Sequence, residues 1–138
     1  MQNMTNIQNF RIIDANLNRL REGIRVVEDI FRYVYNNKEI SSKLKLLRHL
    51  ARIDDYETLL IARDVKNDVL RESIKSEQNR EDLISILIAN FKRAQESARV
   101  LEELTKLISI ESSENFKYIR YELYTLETAL TKITSNSK

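Results

Sequence analysis

Apolar side chains recur at spacings of three and four almost from end to end of this chain, the mark of amphipathic helices. Phe116, Ile119, Leu123, Leu126, Leu130 and Ile133 give the cleanest run. Leu17, Leu20, Ile24, Val27, Phe31 and Val34 form another, and Leu83, Leu87, Phe91, Ala94, Ala98, Leu101 and Ile108 a third. Ile40, Leu44, Leu47 and Ala51 begin a fourth. Proline is absent and Gly23 is the single glycine, so little in the chain interrupts a helix. Breaks are signalled at Asn36-Asn37 and from Ser109 to Ser113, where Ser112 or Ser113 suits a helix cap. The spacing predicts an all-α chain of four long helices, near residues 7–35, 39–61, 80–109 and 113–134.

Part of this text is written twice. The string Ala-Asn-x-x-Arg-x-x-Glu-x-x-Arg-Val-x-Glu runs from Ala15 to Glu28 and again from Ala89 to Glu102, 74 residues on. Lys45 to His49 ("KLLRH") likewise resembles Lys117 to Tyr121 ("KYIRY") at a spacing of 72. The simplest account is a duplicated helical hairpin folded as an up-and-down bundle. One domain over residues 1–138 then comprises a first hairpin at about 7–61, a linking loop at about 62–80 and a second hairpin at about 81–134.

The repeated letters are largely polar, which a core does not require. At about 100° per residue, side chains three apart wind slowly round a helix. Arg25, Glu28, Arg99 and Glu102 fall away from the apolar stripe, where a solvated ladder of charge pairs accounts for them. Arg19, Glu22, Arg93 and Glu96 fall on its border, where the same solvated ladder accounts for them or else they point toward a neighbouring helix. Asn16 and Asn90 lie inside the apolar arc, where an unpartnered amide costs about 1–3 kcal/mol. A cross-helix Asn–Asn or Asn–Glu pair satisfies them, and so does a ligand. Gly23 and its counterpart Ser97 mean close approach, either of helix on helix or of helices on a ligand, because a mid-helix glycine otherwise costs about 1 kcal/mol.

The linking loop carries Arg63, Asp64 and Asp68. Carboxylates four apart can share Mg²⁺, and arginine suits phosphate oxygens; a polar loop held by its own turn hydrogen bonds accounts for the same residues. His49, the only histidine, reads as a surface residue rather than a catalyst. Lys45, Arg48, Lys117 and Arg120 suit either an anion site or a solvated face. Tyr118, Tyr121 and Tyr124 read as packing or interface residues, in keeping with a homodimer. With no cysteine, thiol catalysis and disulfides are excluded. Lys and Arg (23) are interleaved with Asp and Glu (21) for a net charge of +2, which argues against a nucleic-acid partner. No apolar stretch is long enough to span a bilayer, and the N-terminus lacks a secretory pattern, so a cytoplasmic protein without a membrane partner is expected. No glycine-rich phosphate loop occurs, so a bound phosphate must be held by side chains and helix N-termini.

Four segments together resemble one known family: "RIIDANLNRLREGIRVVEDIFRYV", "LKLLRHLA", "ARDVKNDV" and "ANFKRAQESARVLEELTKL". They are similar to the all-helical domain commonly fused in front of the thiamine-phosphate synthase barrel in bacteria, assigned as an alternative hydroxymethylpyrimidine-phosphate kinase of thiamine biosynthesis. The resemblance covers Arg11 to about Leu126. It implies transfer of the γ-phosphate of ATP, with Mg²⁺, to a pyrimidine monophosphate to give the diphosphate. By position it implies Arg19, Arg93 and Arg63 on phosphates, with Asp64 beside them in the catalytic set. Asp64 and Asp68 would hold Mg²⁺, and Asn16, Asn90, Glu22 and Glu96 the pyrimidine edge. The family's loop usually reads R-D-T-x-x-D-V-G; here Val65 replaces the hydroxyl residue and Leu70 the glycine. The synthase barrel itself is absent from this sequence. The resemblance therefore also admits a non-catalytic helical module that partners a separate thiamine-phosphate synthase.

Overall fold

The computed structural model describes residues 4–74 and 78–136, and every regular element among them is helical. Helix α1 (Met4–Tyr33) leads to α2 (Lys38–Leu50) and the short α3 (Tyr56–Ala62). After the linking loop come α4 (Leu83–Leu104), a 3₁₀ turn (Thr105–Leu107), α5 (Ile110–Glu127) and α6 (Leu130–Asn136). Residues 75–77 of the expected loop lie outside the described residues.

The broadest helix–helix interface is α1 against α4; α2 and α3 flank α1, and α5 flanks α4. Gly23 makes the central contact possible. A Cβ built there would stand 3.2 Å from the Asn90 carbonyl oxygen and 3.4 Å from the Ala94 Cβ. The glycine therefore serves close approach of helix on helix. Phe31, near the end of α1, shares a cleft with Ile84, near the start of α4, so the two helices run antiparallel. Leu20, Ile24, Phe31, Leu44, Leu87, Phe91, Phe116 and Leu123 meet in one buried core, as their spacing predicts. Val34, Leu83 and Ile108, placed on the same stripes by spacing, are exposed, because each stands at or past a helix end with no neighbour over it.

The first turn is where the sequence puts it. Asn36 adopts the left-handed conformation (φ 50°), and the Asn37 side chain accepts a hydrogen bond from the Ile40 amide to cap α2. The second expected helix, 39–61, is corrected to two. It stops at Leu50, whose carbonyl accepts a 2.8 Å hydrogen bond from the Asn115 side chain on α5. A partner 65 residues away thus takes up a carbonyl that continued helix would have used. The third begins later and ends earlier than 80–109, with Asp82 accepting from the Ser85 amide at 2.8 Å. Ser109 caps α5, in place of Ser112 or Ser113. Ser113 is buried, and its hydroxyl is committed to the Glu102 carbonyl at 2.7 Å. The expected helix over 113–134 is likewise divided, between Glu127 and Leu130. There the Thr128 hydroxyl donates to the Thr125 carbonyl at 2.6 Å, a side-chain bond that competes with the helical ladder.

Candidate functional site

Where α1 crosses α4 the two copies of the repeated string face one another across a cleft of about 640 Å³. Ten of its eleven lining residues are five pairs of equivalent positions: Asn16/Asn90, Arg19/Arg93, Glu22/Glu96, Gly23/Ser97 and Val26/Val100. The eleventh, Leu70, reaches over from the linking loop. The antiparallel crossing produces this: it brings the two repeated strings face to face, with Gly23 close against Asn90 and Ala94.

The asparagines do not pair across the helices. Each donates its amide N–H back to its own helix four residues earlier, Asn16 to the Ile12 carbonyl at 3.0 Å and Asn90 to the Ile86 carbonyl at 2.9 Å. Among the described residues no protein donor meets either amide oxygen, and both residues line the cleft. The four charged side chains behave alike. Arg19, Glu22, Arg93 and Glu96 are exposed and enter no ion pair or side-chain hydrogen bond among the described residues.

The other members of the repeated string do the opposite. Glu28 and Glu102, expected on a solvated ladder, are buried. Glu28 accepts from Arg48 Nε at 2.7 Å and Nη2 at 3.2 Å, joining α1 to α2. Glu102 accepts from Arg120 Nε at 3.0 Å, with Nη2 2.9 Å away, joining α4 to α5. The same clasp is thus built twice, once between α1 and α2 and once between α4 and α5. The side of α1 that faces away from α4 faces α2, which is why distance from the main stripe did not mean solvent. Arg25 and Arg99 remain exposed, pairing with Asp29 at 3.2 Å and with Glu102 and Glu103 at 3.7 Å. Arg48 and Arg120 therefore line no anion site. Hydrogen bonds to Glu28 raise the pKa of Arg48; burial opposes the charge of Arg120, but hydrogen bonds to Tyr124 and Glu102 outweigh it. Tyr121 and Tyr124 lie against that guanidinium, with ring centroids 4.8 and 5.8 Å away. His49 is exposed and lines neither this cleft nor the space beside it.

A second, larger space of about 980 Å³ adjoins the cleft and shares Asn16, Arg19 and Glu22 with it. Its far wall is the linking loop, with Arg63, Asp64, Val65 and Asp68. Arg63, at the end of α3, is held on α1 by Asp14 through two 2.8 Å hydrogen bonds. Those bonds raise its pKa and occupy Nε and one terminal nitrogen. Arg11 adds a 3.0 Å hydrogen bond to the Asp64 carbonyl. The Asp64 carboxylate accepts from the Asn67 amide at 3.1 Å and its side chain at 2.8 Å, which holds it below its ordinary range. Asp68 accepts from the Leu70 amide at 3.0 Å. Among the described residues no three acidic or histidine side chains gather into a metal-binding group. Asp64 and Asp68 both line this space, and Mg²⁺, which takes one or two carboxylates together with water and phosphate oxygens, is a cation these two residues could hold.

Sequence reasoning missed Asp14 and Arg11. Asp14 sits between Ile13 and Leu17 on a buried face, and its equivalent in the second copy is Ile88. A carboxylate where the repeat has an aliphatic residue was the available signal.

Fold and cleft define an all-helical domain with a two-sided polar cleft at its central crossing. Residues 11–129 match the model of the ThiD2 family, to which this chain belongs. A protein of Thermosynechococcus vestitus named thiamine-phosphate synthase is 43% identical over 122 residues, which cover 88% of this chain and 35% of that protein. Proteins of the same name from Nostoc punctiforme and Synechocystis are 42% and 40% identical, over 88% and 87% of this chain and 35% of theirs. The chain thus spans about a third of the length of these relatives. No solved structure matches. Among the described residues no helix is long and apolar enough to cross a membrane.

Proposed function

We propose that this domain serves thiamine biosynthesis as an ATP-dependent kinase, converting hydroxymethylpyrimidine phosphate to its diphosphate. The observation that carries this reading is the cleft: two arginines and two carboxylates that among the described residues have no protein partner, and two amides whose oxygens meet no donor, beside a loop with two carboxylates suited to Mg²⁺. The transfer needs little else from a protein. A phosphate monoester has its second pKa near about 6, so its oxygen is already a nucleophile at neutral pH and no general base is required. That oxygen bonds to the γ-phosphorus while the bond to the β,γ-bridging oxygen breaks, and ADP leaves. Arg19 and Arg93 offset the phosphoryl charge, and positioning supplies the rest of the acceleration. Glu22, Glu96, Asn16 and Asn90 are the cleft groups able to meet the amino and ring-nitrogen edge of a pyrimidine. Mg²⁺, when bound by Asp64 and Asp68, supplies further neutralisation of the polyphosphate oxygens. The near-identity of the two cleft halves and the paired clasps supports descent from a duplicated hairpin.

A second reading rests on the relatives, in which the matching segment is about a third of a protein named for the synthase. In it the domain is a helical partner of a thiamine-phosphate synthase and performs no transfer. Incubation with ATP, Mg²⁺ and the pyrimidine monophosphate, with ADP release followed by a coupled assay, separates the two. The kinase reading expects turnover that Arg93→Ala abolishes. Folded protein that releases no ADP leaves the partner reading in its place.

A further inference from the structure

We infer that the cleft between the repeated strings is divided between the two substrates: the α1 half, continued by the linking loop, takes the nucleotide, and the α4 half takes the pyrimidine monophosphate. The inference rests on the phosphotransfer reading above and assigns its two ligands to places.

The halves are alike where they face each other and differ immediately beyond. The α1 half opens into the loop-walled space, which adds Arg11, Asp64 and Asp68 and contains no residue of α4. The α4 half has no equivalent. Its counterpart of Asp14 is Ile88, which cannot clasp an arginine such as Arg63. Its counterpart of Asn18 is Lys92, which is turned to Glu127 on α5 at 3.3 Å. Among the described residues only the α1 side is therefore walled by a loop, and it alone carries the loop carboxylates Asp64 and Asp68.

Charge and size then decide the placement. A nucleoside triphosphate carries more negative charge than a monophosphate and needs a divalent cation, so it requires the side with Asp64 and Asp68. The loop-walled space, about 980 Å³ against about 640 Å³ between the helices, also suits the larger ligand. The remaining half offers Arg93 for one phosphate and Glu96 and Asn90 for an aminopyrimidine edge. Asn16, Arg19 and Glu22 line both spaces, so the γ-phosphoryl group and its acceptor meet at Arg19. The symmetric site has become an ordered one.

Binding measured by calorimetry tests this without turnover, using the β,γ-imido analogue of ATP with Mg²⁺ and, separately, the pyrimidine monophosphate. Arg93→Ala and Glu96→Gln should each weaken the monophosphate about tenfold or more and leave the nucleotide analogue within about twofold. Asp68→Asn, which keeps an acceptor for the Leu70 amide, should do the reverse. Parallel losses of both ligands in all three variants, reversed preferences, or two monophosphates bound per unmodified chain would overturn the division while leaving the kinase reading standing. Unmodified protein that binds neither ligand removes the kinase reading and this division with it.

Discussion

At the scale of single residues, the arginines of this chain sort by what holds them. Arg120 is nine-tenths buried against an equally buried Glu102, and Arg48 repeats the arrangement with Glu28. Taking away one partner leaves a carboxylate in low dielectric, so Arg120→Ala should lower the unfolding free energy by about 3 kcal/mol. Arg93 is exposed and has no partner among the described residues, and Arg93→Ala should stay within about 0.5 kcal/mol of the parent. Urea denaturation of the two variants measures the contrast. A large loss at Arg93 would recast that residue as structural. Arg63 lies between these cases, since its side chain is 36% exposed while Asp14 is buried. Two of its donors are spent on Asp14, so it acts first to pin the loop on α1 and has one terminal nitrogen left for a ligand.

At the scale of elements, the α1–α4 crossing decides both stability and site. Gly23 is a point of close approach there, one position from Glu22 in the cleft wall. A side chain at 23 must push Asn90 and Ala94 away, spreading the helices that carry Arg19 and Arg93. Gly23→Leu should therefore destabilise by about 1–3 kcal/mol through overpacking and raise the Kd for ligands of the cleft. Gly23→Ala sets a gain in helix propensity of about 1 kcal/mol against a contact at 3.2 Å, so its net effect is small. Melting temperatures of the two variants, taken with ligand titrations, read out both consequences. Equal stability for Gly23→Leu and the parent would mean that the crossing is loose.

At the scale of the whole molecule, acid is the condition that loosens the fold. Asp64, Asp82 and Glu103 all hold their protons less readily than usual, through hydrogen bonds from Asn67, the Ser85 amide and Lys106 respectively. A depressed carboxyl contributes stability above its ordinary value, 3.8 for an aspartate, and loses it as pH falls through the folded value. The urea midpoint should hold near neutrality and decline progressively below about pH 4. Asp82→Asn provides the check. Asparagine caps a helix as well as aspartate does, so stability at pH 7 should be nearly unchanged while the acid decline becomes shallower. An identical acid profile in parent and variant would assign the decline to other carboxylates.

Periodicity and repetition are local properties of a chain, and they determined a great deal. The helical class, the turn at Asn36, the core stripes and the six cleft residues from Asn16 to Glu96 all follow from spacing and from matching letters 74 positions apart. A helix knows its own faces. It does not know what covers each face, and there tertiary packing ruled. Glu28 and Glu102 are buried because α2 and α5 lie over the sides that spacing left to solvent. The second helix stops at Leu50, where Asn115 arrives from α5, and Asp14, 49 residues upstream of Arg63, captures it and places the linking loop. Each is a pairing between charged or polar groups apart in the chain, and only the packing of α2, α3 and α5 around the central helices brings such groups within reach.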